Sequence, residues 1–194
     1  MKKLNLMLLA FTLIVATACK NDKKDKDVEE EVEVEVEEVV ETSTPKSVEI
    51  LLEPKSESAV SGVVVFTEAN GEVSMTARLS GLSPGDHAIH IHEKADCSSA
   101  DGTSSGGHWN PTSQPHGKWG AESGYHKGDI GNFTADAEGN AEVKMNTSEW
   151  CLGCGDTNKD VMGKAVIVHQ GTDDFTSQPS GAAGSRISCG GIIE

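Results

Sequence analysis

The chain has 194 residues, which is enough for one full domain with appendages. It carries 16 basic and 31 acidic side chains, for a formal net charge of −15. This balance argues against nucleic acid as a partner, because phosphate binding needs clustered lysine and arginine.

The first 18 residues have the pattern of a cleavable export signal. Two lysines precede an apolar run over residues 6–15, which is too short to span a bilayer comfortably. The small residues Ala16-Thr17-Ala18 then stand directly before Cys19. They resemble a bacterial lipobox, in which the cysteine becomes a lipidated N-terminus, although Ala16 stands where leucine is usual. Cleavage by ordinary signal peptidase, which would give a soluble periplasmic protein, is the alternative.

We expect the lipoprotein, because a cysteine directly after such a leader is otherwise unexplained and a charged segment follows it. The protein would then be exported to the cell envelope and held at a membrane by a lipid on Cys19. Lys20 does not match the aspartate that retains lipoproteins at the inner membrane, so the outer membrane is favoured. The sequence leaves open whether the domain faces the periplasm or the exterior, and whether it is a monomer or a dimer.

Residues 19–47 have no globular pattern. Lysine and aspartate alternate first, and glutamates separated only by valine follow. We expect a self-repelling, disordered tether. An acidic strand that binds a partner is the alternative, since the glutamates recur with the period of a strand.

From Val48 to Glu194 the pattern changes to that of a β domain. Eight short apolar or alternating runs are separated by turn residues, and no long helix is indicated. Asn70-Gly71 between two alternating runs predicts a hairpin, and residues 138–140 predict a second. The pattern favours an all-β sandwich or flattened barrel, with two unusually long loops over residues 94–127 and 170–185.

Histidines are concentrated in and before the first of these loops. Six of the seven lie between His87 and Asp129, and the seventh is His169. His90 and His92 have the i, i+2 spacing that places two imidazoles on one face of a strand. Three histidines and a carboxylate in the loop suit a closed tetrahedral zinc site, and imidazoles around an open position suit copper. The loop set comprises His108, His116, His126 and Asp129.

The cysteines fit an oxidising compartment. With Cys19 assigned to lipid, four cysteines remain, and these permit three connectivities. Cys151 and Cys154 form a C-x-x-C motif. We expect a local structural disulfide there, and a redox-active pair or accessory metal site is the alternative.

Several motifs together resemble the copper/zinc superoxide dismutase family. They are HIHE from His90, GGHWNP around His108, HKGD ending at Asp129, VIVH ending at His169 and GSRISCG around Arg186. The resemblance covers essentially all of residues 48–194 and implies an eight-stranded Greek-key β-barrel with a long metal-binding loop and a shorter channel loop.

The resemblance also implies a role for each site residue, with one copper and one zinc ion per chain. Copper would be held by His90, His92, His108 and His169, and zinc by His108, His116, His126 and Asp129. Asp173 would hydrogen-bond His90 and His116, His87 would brace the backbone beneath the copper, Cys97 would pair with Cys189, and Arg186 would dock the anionic substrate.

The implied reaction converts superoxide, the small-molecule substrate, to dioxygen and hydrogen peroxide, with His108 and Arg186 as the catalytic side chains. Because the chain is acidic throughout, attraction of an anion must come from a local field at the channel. The alternative is an exported protein that buffers copper and zinc without turnover.

Overall fold

The structure, a computed structural model, describes residues 45–193. The predicted signal over residues 1–18, Cys19 and nearly all of the predicted tether over residues 19–47 lie outside that range. Within it, no helix is long and apolar enough to cross a membrane. The described elements, in chain order, are β1 (Lys46–Pro54), β2 (Ser61–Ala69), β3 (Glu72–Ser80), β4 (Gly85–His92), a 3-10 turn (Thr103–Ser105), β5 (Gly131–Ala135), β6 (Ala141–Thr147), β7 (Ala165–His169) and β8 (Arg186–Gly191).

The eight strands form one antiparallel sheet that curls into a nearly closed barrel. Their order along the sheet is β5-β4-β7-β8-β1-β2-β3-β6. β1, β2 and β3 form a meander, after which β4 leaves to pair with β7, and β6 returns to pair with β3. These crossing connections are those of a Greek key. The predicted all-β, eight-stranded fold is therefore confirmed.

The first predicted hairpin is confirmed and the second was wrong. Asn70 and Gly71 join β2 to β3 with φ values of 53° and 77°, the left-handed region that a tight two-residue turn requires. Between β5 and β6 the turn is also tight, since the Asp136 N–H donates to Asn140 O. However, β6 pairs along its whole length with β3, and β5 pairs with β4. The turn therefore connects the two ends of the sheet, and no ladder joins the strands that flank it.

Burial differs between the two halves of the barrel. In β3 every second side chain is buried, as expected for a strand with one face to water. In β4, by contrast, every residue from His87 to His92 is buried, and in β7 all five residues are. Both long loops cover the outer face of these two strands. His90, His92 and His169 therefore lie beneath the loops, out of water, whereas His87 lies on the opposite face of β4, the face of Ile89 and Ile91.

Two disulfides fix loops to the barrel or to themselves. Cys97 is bonded to Cys189, which ties the loop that follows β4 to β8 across a sequence separation of 92. In the loop-entropy model, closing a loop of that length stabilises the fold by about 4–5 kcal/mol. Cys151 is bonded to Cys154 in the segment before β7. Both predicted pairings are confirmed.

Candidate metal centre

The first group of metal-binding side chains comes mostly from strands. Its donor atoms all lie within 4.8 Å of one another, and all four residues are buried. β4 supplies two of them on one face, β7 supplies one at its last residue, and the loop after β4 supplies the fourth, which makes an isolated bridge to β4. The members of this first group are His90, His92, His108 and His169.

The second group comes entirely from the loop between β4 and β5. It consists of His108, His116, His126 and Asp129, all buried. Three imidazole Nδ1 atoms surround one carboxylate. Their distances to the nearest Asp129 oxygen are 2.8 Å from His108, 3.0 Å from His116 and 3.2 Å from His126. His108 therefore belongs to both groups, and its ring lies between them.

The donor atoms fit metal ions. Two buried ring nitrogens, His90 Nδ1 and His108 Nε2, have no hydrogen-bond partner among the described residues, and the Nδ1 atoms of His116 and His126 face the Asp129 carboxylate. A buried polar atom without a partner is costly, and native structures rarely keep one without a ligand. Zn–N bonds of 2.0–2.1 Å place tetrahedral ligand atoms about 3.3 Å apart. The 3.4 Å between His92 Nε2 and His169 Nε2, and the distances around Asp129, are close to that value.

The electrostatics of the two groups differ. Burial, and then the neighbouring imidazoles, hold the pKa of His92 and of His169 well below the usual value. Burial also lowers the pKa of His108 to about 4, although the Asp129 carboxylate opposes the shift. These rings are neutral at pH 7, so their lone pairs are available to a metal.

His116 behaves in the opposite way. Burial acts to lower its pKa, but hydrogen bonds to Asp129 and Asp173 outweigh it and raise the pKa to about 9. The pKa of Asp129 stays well below its usual range, because hydrogen bonds from three imidazoles outweigh the effect of burial. A cation bound in the second group would therefore displace a proton from His116.

Other side chains orient the rings. Asp173 lies 2.9 Å from His90 Nε2 and 2.8 Å from His116 Nε2, so one carboxylate contacts a ring of each group. His92 Nδ1 donates to Gly106 O at 2.9 Å. His87 lies outside both groups, with Nε2 2.8 Å from Ser83 O and Nδ1 3.1 Å from the backbone oxygen of His169. The structure thus places Asp173 and His87 where the resemblance implies them.

Arg186 lies at the mouth of the first group. A cavity of about 350 Å³ opens there, lined by His92, His108, His169 and the half-buried Arg186. The guanidinium Nη1 donates to Gly102 O at 2.8 Å and to Ser105 Oγ at 3.2 Å. These bonds fix its position, and burial lowers its pKa while Asp101 opposes the shift. The arrangement suits a small anion bound beside the first group.

Three residues near the site were missed by sequence reasoning. Asn132 Oδ1 accepts a hydrogen bond from the backbone N–H of Asp173 at 2.7 Å, and Asn132 Nδ2 donates one to the backbone oxygen of Asp173 at 2.8 Å. Gln178 makes the same pair of bonds with the backbone of His116. Gly181 has φ +66°, and a Cβ there would overlap the Asp173 carboxylate and lie 2.6 Å from His116 Nε2. A strand asparagine, a loop glutamine and a loop glycine carry no sequence signal of such roles, because the roles exist only once these segments meet.

Comparison with known proteins agrees with this geometry. A family profile described as copper/zinc superoxide dismutase matches residues 60–192. Superoxide dismutase [Cu-Zn] 2 of Aquifex aeolicus (strain VF5) is 36% identical over 140 residues, which are 71% of this chain and 81% of the Aquifex protein.

Solved structures are similar over the same part of the chain. A double mutant of a SOD-like protein from Bacillus subtilis is 33% identical, covers 75% of this chain and 97% of its own, and superposes with a TM-score of 0.67. The clock protein EA4 is 31% identical, covers 77% and 96% respectively, and has a TM-score of 0.65. With its barrel, its two joined histidine groups and a family profile that matches most of its length, this chain belongs to the copper/zinc superoxide dismutase family.

Proposed function

We propose that the protein converts two superoxide anions and two protons to dioxygen and hydrogen peroxide. The observation that carries the proposal is His108, whose single imidazole belongs to both buried groups. Only histidine offers two ring nitrogens that can each take a metal. A protein that merely stored two ions would not need to join them through one side chain, so metal buffering is not favoured.

The chemistry of each group decides which metal it takes. His90, His92, His108 and His169 are four imidazoles beside an open cavity, which suits copper. The second group adds a carboxylate to three imidazoles, all four from one loop and all buried, which suits zinc. We therefore assign one copper and one zinc ion per chain. When bound, copper would supply one-electron oxidation and reduction of superoxide. Zinc, which has no redox chemistry, would place a fixed positive charge next to His108.

The chain itself supplies a docking site and a proton carrier. Arg186 lines the cavity at the first group and presents a positive charge to an anion there. His108 Nε2 is buried without a partner at the boundary of the two groups, so it is placed to hold a proton and release it to a reduced oxygen species. Because the whole chain is acidic, Arg186 is the local source of attraction for superoxide.

The test is to load the protein with copper and zinc and to measure its consumption of superoxide by pulse radiolysis at several ionic strengths. We expect turnover that slows as salt rises. Arg186→Ala should lower kcat/KM by roughly 10-fold or more and remove most of the salt dependence. Arg78→Ala is the matched control, since Arg78 lies on β3 and pairs with Glu142 away from the cavity. A fully loaded protein that consumes no superoxide would favour metal buffering instead.

We further propose that residues 48–194 act as an exported domain held at the outer membrane through a lipid on Cys19. The apolar leader, the cysteine that follows it and the oxidised cysteine pairs of the domain support this location. Mass spectrometry of the mature N-terminus tests it. A lipid-modified Cys19 is the expected result, and an unmodified residue would contradict the anchor.

A further inference from the structure

Gln178 reaches from the loop between β7 and β8 to the loop between β4 and β5. Its Oε1 accepts a hydrogen bond from the backbone N–H of His116 at 2.8 Å, and its Nε2 donates to the backbone oxygen of the same residue at 2.9 Å. One planar amide thus pairs with both polar groups of one residue. Two such bonds fix the rotation of that backbone as well as its position.

His116 depends on this contact. It lies in a loop, outside every strand, and is 3% exposed. Within residues 45–193, no other protein group hydrogen-bonds its backbone N–H or oxygen. Buried backbone groups are nearly always paired, so the Gln178 amide does for His116 what a neighbouring strand does for His90 and His92.

The same loop also holds the ring of His116. Asp173 Oδ1 lies 2.8 Å from His116 Nε2, and Asp173 is itself held by Asn132 of β5 through two backbone hydrogen bonds. Gly181 packs against this pair so closely that a Cβ would not fit. Hydrogen bonds from a segment more than fifty residues away in sequence therefore hold both the backbone and the ring of His116 in position.

We propose that Gln178 is a positioning residue for the zinc group, which directs His116 Nδ1 toward the ion by fixing the backbone that carries it. The inference rests on the proposed function only in assigning zinc to the group of His108, His116, His126 and Asp129. Partners that orient metal ligands change metal affinity by about 10–100-fold when they are removed. We expect an effect of that size from Gln178, although it touches no metal-binding atom.

Cobalt(II) is the probe, because it replaces zinc and its visible absorption reports ligand geometry. We expect Gln178→Met to weaken Co(II) binding at the zinc group by about 10–100-fold and to change the absorption spectrum of the bound ion. Gln114→Met is the matched control. Gln114 lies in the same loop as His116 and in the same Ser-Gln-Pro context as Gln178, but its side-chain amide donates only to Thr112 O at 3.3 Å. This control should match the wild type in affinity and spectrum.

A second variant and a second measurement keep the test decisive if Gln178→Met folds poorly. Gln178→Glu keeps the acceptor for the His116 N–H but loses the donor, so its affinity should fall between those of the wild type and Gln178→Met. In the metal-free protein, the His116 amide should exchange with solvent faster in both variants than in the wild type.

Two outcomes would overturn the inference in distinguishable ways. If both Gln178 variants bound Co(II) with the wild-type affinity and spectrum, Gln178 would have no positioning role, whatever its effect on thermal stability. If the wild-type protein itself bound no Co(II), the zinc assignment and the proposed function would fail as well.

Discussion

The two metal-binding groups are held by different kinds of structure. The first group, proposed for copper and called the copper group below, takes three of its four side chains from strands, with His90 and His92 on β4 and His169 at the end of β7. All four side chains of the zinc group come from one loop. A side chain on a strand takes its position from the ladders on either side, whereas a loop side chain needs its own contacts. The barrel therefore presets most of the copper group, and the zinc group is assembled by hydrogen bonds between loops.

The largest effect should come from the residue that the groups share. A four-ligand zinc site binds with about 10–16 kcal/mol, which averages about 3 kcal/mol, or about 100-fold in affinity, per ligand. His108→Ala should weaken both groups by about that factor, whereas His90→Ala should weaken only the copper group. Competition with chelators, with copper and zinc titrated separately, measures this. An unchanged affinity at either group in His108→Ala would show that the ring is not shared.

The Cys97–Cys189 disulfide ties the long loop to the barrel, and the local Cys151–Cys154 disulfide provides a comparison for its contribution. In the loop-entropy model, removing Cys97–Cys189 by double substitution with serine should lower the free energy of unfolding by about 4–5 kcal/mol, and removing Cys151–Cys154 by about 2 kcal/mol. Urea unfolding of the metal-free variants measures both values. Equal losses would mean that the long-range bond does not act by restricting the unfolded chain.

Gly181→Ala should disturb the zinc group most, because the added Cβ meets both Asp173 and His116, and it should reach the copper group only through the contact of Asp173 with His90. The new Cβ would collide with Asp173 beside His116, and the positive φ adds strain, so we expect a loss of about 2–3 kcal/mol of stability and weaker zinc binding. Gly153→Ala is the control, because its φ is +65° but nothing lies within 4 Å of the added atom. Similar losses in both variants would mean that φ alone sets the cost.

The smallest effect concerns the outer support of the zinc loop. Tyr125 Oη donates to Glu149 Oε1 at 2.6 Å, and Lys127 pairs with the same carboxylate, on either side of His126. The bond to Glu149 raises the pKa of Tyr125 to about 12. Glu149→Gln should cost about 1 kcal/mol of stability and return that pKa toward its usual value near 10.

Ultraviolet titration of the phenol reads this change directly, because Tyr125 is the one tyrosine in the sequence. Glu138→Gln, on the exposed turn between β5 and β6, serves as the control. A Tyr125 pKa that stayed near 12 in Glu149→Gln would show that burial, rather than the carboxylate, holds it there.

The same contrast explains what the sequence could predict. The alternation of His90 and His92 on a strand is a local property, and the loop histidines with Asp129 suggest one site by their spacing. The place of His169 in the first group, and of His108 in both, came from the family resemblance. Gln178, Asn132 and Gly181 act only through segments that meet in space, and local patterns carry no trace of that meeting.

For the fold, too, the local features could be predicted from the sequence and the long-range ones could not. Strand positions and the Asn70-Gly71 turn follow from local chemistry. Which strands pair is a long-range choice, and for this reason the tight turn at residues 136–140 misled the hairpin prediction. A turn reverses the chain wherever it lies, but only the ladder partners decide whether the flanking strands stay together.

The position of His169 has a consequence for how the protein is made. All four zinc ligands and three of the four copper ligands precede β6, whereas His169 ends β7, and Cys189 and Arg186 lie in β8. A chain still emerging from the ribosome thus has every residue proposed for zinc before it has the complete set proposed for copper. Copper can find its full site only after β7 has joined β4, so a redox-active ion is excluded from its full site until the barrel that shields it is nearly complete.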